Sequence, residues 1–216
     1  MRWVYYFKAH TGANWLMVCI AVGTVLTLLL LGTLKGPDRE PRAEDASMLF
    51  GVVMPLALGL LLAGLPAQER GAGMAEICLT YRQPAWLRLL DQTVCATLGW
   101  ALLAVLAWAA VNFGYATFDT AAAARMVLPP ALGLGGVALG AGALSKTAAG
   151  GTLAAAAWWS IDLLQPGLNR LNYLFSRFQP VDGLDPGTMQ IHMLLTALCG
   201  LGLALLLAER RHRWVL

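Results

Sequence analysis

Few side chains in this sequence are equipped for bond-making chemistry, and their spacing restricts them further. Gly140, followed after four residues by Ser145-Lys146-Thr147, comes near a phosphate-binding loop. Such a loop needs glycine before its lysine and a strand before its first glycine; here Ser145 precedes Lys146 and apolar stretches flank both sides. Lys146 therefore reads as a basic anchor between two spans. Cys19, Cys95 and Cys199 lie in apolar runs and Cys78 in a polar stretch, without a CxxC pair or a Cys/His cluster. That spacing supports neither a disulfide framework nor a metal site. A protease or lipid transferase working at membrane depth needs paired Asp, Ser with His, or HExxH, and the sequence has none of these, so no catalytic residue is assigned. Within or near the apolar runs, the ionisable groups are Asp162 and His192. A carboxylate at membrane depth is costly, so Asp162 invites two readings: it meets a cationic group of a substrate, or it sits in the headgroup layer beside Trp158 and Trp159, paired with water or Arg170.

The elements that position these residues follow from composition. Hydrophobic residues make up 58% of the 216 and charged residues 12%, about half the charge usual in soluble domains. Several apolar runs reach the ~20 residues needed to cross a bilayer. The chain is expected to be an all-α, multi-pass membrane protein in contact with lipid. A net charge of +3, scattered along the chain, points to no nucleic-acid partner.

In order, residues 1–12 carry Trp3, Tyr5, Tyr6 and Phe7 between Arg2 and Lys8, an interfacial helix rather than a signal peptide. The spans are expected at about 13–34, 47–65, 93–113, 127–145, 148–164 and 190–208. Pro55 should kink the second. Pro129 and Pro130 should fall in the first turn of the fourth, where a missing amide costs least. The fourth also carries Gly133, Gly135, Gly136, Gly140 and Gly142, a small-residue face that either admits a second helix closely or merely loosens this one. Between the fifth and sixth spans, the half-apolar segment from Gln165 to Gly187 is too interrupted to cross and reads as one or two short interfacial helices. With the N-terminus inside, the inner segments hold nine Lys and Arg and the outer segments six, so both termini are expected inside.

The most informative polar stretch is Pro66 to Gln92. Glu69, Arg70 and Gly71 open it; Met74, Ile77, Cys78 and Tyr81 recur at helical spacing with Glu76 and Arg82 on other faces; Pro84 breaks the helix; Trp86, Leu87, Leu89 and Leu90 start a second amphipathic piece. This pattern resembles the cytoplasmic loop of ABC-2 type ABC-transporter permeases, a Glu-Arg-x-x-Gly-x-x-Glu segment followed by a Pro and a basic residue. Glu69, Arg70, Gly71 or Gly73, Glu76, Pro84 and Arg88 occupy the matching places, while the family's Gly-Thr pair reads Gly73-Met74.

The resemblance implies a six-span permease domain with an N-terminal elbow helix, a cytoplasmic coupling helix between spans two and three, and short external helices between spans five and six. It implies a location in the bacterial inner membrane. It also implies that the chain is half of an ATP-driven exporter, paired with a second copy or a related permease. ATP and Mg would bind a separate ATP-binding subunit, since this chain has no Walker A motif or Leu-Ser-Gly-Gly-Gln signature. Coupling would fall to Glu69, Arg70, Gly73, Met74, Glu76, Ile77 and Tyr81. The pathway between the halves would be lined from spans two and five, by Met54, Leu56, Leu58, Trp158 and Ser160, with Asp162 near its end. An apolar lining suits a lipid, a hydrophobic peptide or an amphipathic drug-like cargo. The other reading of the chain is a membrane-embedded enzyme or assembly scaffold.

Overall fold

The computed structural model describes residues 18–19, 22–23, 49–68, 84–114, 119–166, 168, 172–175 and 181–215. The expected first span, the elbow and the Glu69–Arg82 motif lie largely or wholly outside them. Every described secondary-structure element is helical. A π-helical turn, Leu49–Val53, runs into α1 (Met54–Ala63), followed by the short α2 (Leu65–Gln68). Then come α3 (Ala85–Gly114), α4 (Thr120–Ser145), α5 (Ala148–Leu164) and α6 (Pro186–Val215).

Four stretches are long and apolar enough to cross a membrane: Leu49–Ala67, Ala85–Phe113, Thr120–Ser145 and Pro186–Arg210. The helix at 148–164 forms where expected, but its 17 residues reach only about 25 Å at about 1.5 Å per residue, short of a ~30 Å hydrocarbon core. Three boundaries differ from the sequence reading. α3 begins at Ala85, so the amphipathic piece at Trp86–Leu90 is the first turns of the same helix. α4 begins at Thr120, because Asp119 caps it by accepting from the Ala122 amide at 2.8 Å; Pro129 and Pro130 therefore lie inside the helix. α6 begins at Pro186, capped by Asp185, which accepts from the amide and hydroxyl of Thr188 at 2.8 Å each. In the connection before it, none of the described residues is helical.

The helices divide into inner and outer pairs. Of their apolar windows, 78% of Leu49–Ala67 and 72% of α4 are buried, against 22% of α3 and 11% of α6. α3 turns one stripe inward, with Leu89, Ala96, Trp100, Ala107 and Val111, and leaves Leu98, Leu102, Leu106 and Phe113 exposed. An outer face as apolar as the inner one is the pattern of a helix surrounded by lipid.

Small residues place α4 at the centre. A Cβ added at Gly136 would lie 2.5 Å from the Ala197 Cα, and one at Gly200 would run into the Gly136 carbonyl oxygen, so α4 and α6 cross backbone to backbone. The small-residue face of α4 does admit a second helix, and that helix is α6. On its other side, Gly142 and Gly151 both face the Ala63 carbonyl oxygen, at 2.8 and 2.9 Å from the Cβ each lacks. α4 reverses into α5 through Lys146, held at φ +62, and Thr147, which accepts from the Gly150 amide at 3.1 Å. The turn is too short to carry a further element, in keeping with the reading of Lys146 as an anchor.

A buried carboxylate and the proline breaks

Two proline-containing helices at membrane depth raise an accounting problem, because each proline removes a backbone donor and displaces the carbonyl four residues earlier. Side chains from other helices donate to carbonyls at or near both breaks. Beside Pro55, the Trp159 indole donates to the Val52 carbonyl at 2.9 Å, and the Trp100 indole donates to the Met54 carbonyl at 2.9 Å. The carbonyl four residues before Pro129, that of Arg125, accepts from the Gln190 side-chain amide at 2.9 Å. Before Pro55 the helix opens with the π-helical turn Leu49–Val53, reached from α5 at Val52, while α3 reaches the next residue, Met54. Trp100→Phe and Trp159→Phe each keep the ring and delete one donor. Each should lower stability by about 1 kcal/mol, read as a lower thermal midpoint of the purified protein, and the double variant by about the sum, since the indoles reach different carbonyls.

The second cluster is built around Asp162, in the last turn of α5. Its side chain is 0% exposed. Oδ2 accepts from the Trp158 indole at 3.0 Å and from the backbone amide of Leu174 at 2.9 Å. Oδ1 is buried and has no hydrogen-bond partner among the described residues. The sequence has a reason for this. After α5 the chain is exposed at Gln165, Pro166 and Leu168, yet Tyr173, Leu174 and Phe175 are buried to within 2% although they lie in a turn rather than a helix. A turn at that depth must satisfy its own amides, and Asp162 supplies an acceptor. Phe175 then packs edge-on against Trp159 and Tyr173, with ring centroids 6.4 and 6.2 Å apart. Burial, and next the negative charge of Asp162, pushes the Tyr173 phenol up to about 12, so it is neutral at physiological pH. Met189 and Met193 of α6, Leu134 and Ala138 of α4, and Val52 complete the wall.

The expected site residues fall into three groups. Trp158 and Asp162 are brought together in this cluster. Met54 and Leu58 are fully buried in the core of the single chain, at 0% exposure, and face no open path there; Leu56 and Ser160 are half-buried. Glu69, Arg70, Gly73, Met74, Glu76, Ile77 and Tyr81 lie outside the described residues. Asp162 is closed off from solvent within the protein, with an indole and a backbone amide as partners, and Arg170, named for it above, lies outside the described residues. His192 is half-buried, and its carbonyl accepts from the Thr196 hydroxyl at 2.9 Å. Among the described residues no group of three His, Cys, Asp or Glu is placed to hold a metal ion, and Cys19, Cys95 and Cys199 are free.

Sequence reasoning missed Tyr173, Leu174, Phe175, Trp100 and Gln190. The signal for Trp100 and Gln190 was available: a proline in a span requires a donor from another span, and these are donors within spans. The inward turn had no comparable local signal.

No protein-family model, no curated protein and no solved structure matches this chain.

The role of Asp162 in holding the turn is separable from its charge. Asp162→Asn keeps an oxygen acceptor for both donors, whereas Asp162→Leu strands two buried N–H groups. The Leu variant should lose ~2 to 6 kcal/mol, at about 1–3 kcal/mol per stranded group, and the Asn variant much less. Thermal unfolding of the two purified variants checks the ordering.

Proposed function

We propose that this chain is the membrane-spanning permease subunit of an ATP-driven ABC exporter of the ABC-2 type, half of a translocation pathway, working with a separate ATP-binding subunit. The observation that carries the reading is the Pro66–Gln92 stretch, with Glu69, Arg70, Glu76, Pro84 and Arg88 at the family's spacing, placed between two membrane-crossing helices, Leu49–Ala67 and α3. Six spans, an elbow helix at the N-terminus and both termini inside belong to the same proposal, as does the inner membrane of a bacterium as its location. The architecture supports it at a coarser level: the chain is helical, apolar and multi-pass.

A pathway shared between two copies would start from faces that the single chain leaves open. Met54 and Leu58 are closed inside one copy, so they line a path only after α1 separates from α4. The exposed stripe of α5, Leu153, Ile161 and Leu164, is the face of the proposed pathway helices available without that separation. The cargo is hydrophobic or amphipathic.

Two measurements test the reading. In intact cells a membrane-impermeant thiol reagent should label a Cys at Ser176 and not one at Ala72, in a background with the four native cysteines replaced; label on Ala72 would reverse the orientation. Purification of tagged chain in mild detergent should recover an ATP-binding subunit and two permease halves per complex. Recovery of the chain alone, with full stability and no ATPase, would favour the scaffold or membrane-embedded enzyme instead.

A further inference from the structure

The cluster at the end of α5 is over-equipped for a merely structural role. Holding the 172–175 turn uses one oxygen of Asp162, which takes both the Trp158 indole and the Leu174 amide. The other oxygen is sealed from solvent and has no donor among the described residues. A lone buried carboxylate oxygen without a donor loses its hydration with nothing in return, a cost of kcal/mol size that helix packing does not require. The Trp158 indole donates to the same carboxylate, and the turn it holds brings Tyr173 and Phe175, with Phe175 edge-on to both Tyr173 and Trp159, into the same buried cluster.

We propose that this cluster is a binding site for an organic ammonium group, which pairs with Oδ1 of Asp162 against the aromatic side chains, and that the Tyr173–Phe175 turn closes over it. Carboxylate plus aromatic rings is the combination that binds quaternary and alkylated ammonium ions, through charge on one side and ring quadrupoles on the others. A metal ion is a poorer match. Calcium or magnesium takes six or more oxygens, and no group of three or more acidic, His or Cys side chains is gathered among the described residues. The carboxylate is shut off in the described conformation, so the ligand enters when the turn lifts. The direct tie between turn and carboxylate is one hydrogen bond, from the Leu174 amide, so the acceptor that binds the cation is also the latch of its cover. The inference deepens the permease reading by naming the chemical class of the cargo as amphipathic organic cations.

The test is equilibrium dialysis of radiolabelled benzyltrimethylammonium against the purified chain in maltoside detergent, which carries no competing ammonium. Saturable binding is expected, displaced by unlabelled benzyltrimethylammonium and not by neopentylbenzene, its uncharged carbon isostere. Asp162→Asn keeps both acceptor contacts and loses the charge, and should bind at least tenfold more weakly with a thermal midpoint close to wild type. Absence of saturable binding to the wild-type chain, equal binding by Asp162→Asn, or equal displacement by neopentylbenzene would each overturn the proposal. The isostere competition uses only wild-type protein and decides the matter even where a variant fails to fold. Dialysis needs no ATPase, so a negative result leaves the permease reading standing, and a chain purified without an ATPase leaves this site standing.

Discussion

Gly200→Ala is expected to destabilise the helix bundle by ~3 kcal/mol, at the upper end of the cost of overpacking a tight contact, while Gly202→Ala, two residues along the same helix, should be neutral or stabilising by about 0.5 to 1 kcal/mol through helix propensity. The pair isolates packing from propensity, since both substitutions add one methyl group to α6. At Gly200 the added carbon meets the backbone of Gly136 on α4, where the obstacle is a carbonyl group and no side chain can rotate away. At Gly202 nothing lies within 4 Å. In lipid, where apolar burial gives little drive to helix association, close backbone approach is a main source of attraction, so forcing α4 and α6 apart removes contacts along their whole crossing. Gly136→Ala, which meets the Ala197 backbone, should match Gly200→Ala, and the two together should cost less than their sum, because one displacement relieves both collisions. Thermal unfolding in detergent, read by the fraction remaining monodisperse, measures all four. Equal midpoints for Gly200→Ala and Gly202→Ala would mean that α4 and α6 do not cross at this point.

How far the sequence specifies this arrangement depends on the kind of interaction. The helices long and apolar enough to cross a membrane were legible because apolar run length is a property of contiguous residues: α3, α4 and α6 each contain a span read from the sequence, and Leu49–Ala67 overlaps the one read at 47–65. Their ends were less legible. Asp119 and Asp185 cap α4 and α6 several residues before the apolar run begins, and Pro129 and Pro130 read as a helix start because the interior cost of a proline is normally high. That cost is met at Arg125 by Gln190, 65 residues away, which no local pattern encodes. The small-residue face of α4 was legible as a place of close approach, but which helix would use it was not. Asp162 was recognisable as anomalous from its depth alone. Its environment was not, since the partner is a backbone amide at Leu174, and any residue type supplies an amide. The burial of Tyr173–Phe175 is likewise a matter of tertiary packing, against residues of other helices.

On the permease reading proposed above, the largest functional effect is expected in the Pro66–Gln92 stretch, which would be the element that couples to the ATP-binding subunit. Closure of ATP-binding subunits reaches a membrane half only through a cytoplasmic element stiff enough to transmit displacement. The Lys146–Thr147 turn is too short for this, whereas the 66–92 stretch has helical periodicity, with Met74, Ile77, Cys78 and Tyr81 as spaced apolar anchors and Glu69 and Glu76 as charges, the pattern of a helix docked in a groove. Ile77→Asp places a charge among the anchors, and Glu76→Lys reverses a charge at the rim. Like-charge juxtaposition at such a contact costs several kcal/mol, so each variant should release the partner by tenfold or more. Neither should disturb membrane insertion, because the stretch lies between spans and carries its own charges.

The measurement that bears most directly on the permease reading is therefore co-purification of an ATP-binding subunit with the wild-type, Glu76→Lys and Ile77→Asp chains, expressed to equal levels in the membrane. The account predicts that the wild-type chain brings the subunit down with ATPase activity and that both variants lose it while remaining inserted and monodisperse. Full retention of the subunit and of coupled ATPase activity by both variants would contradict it.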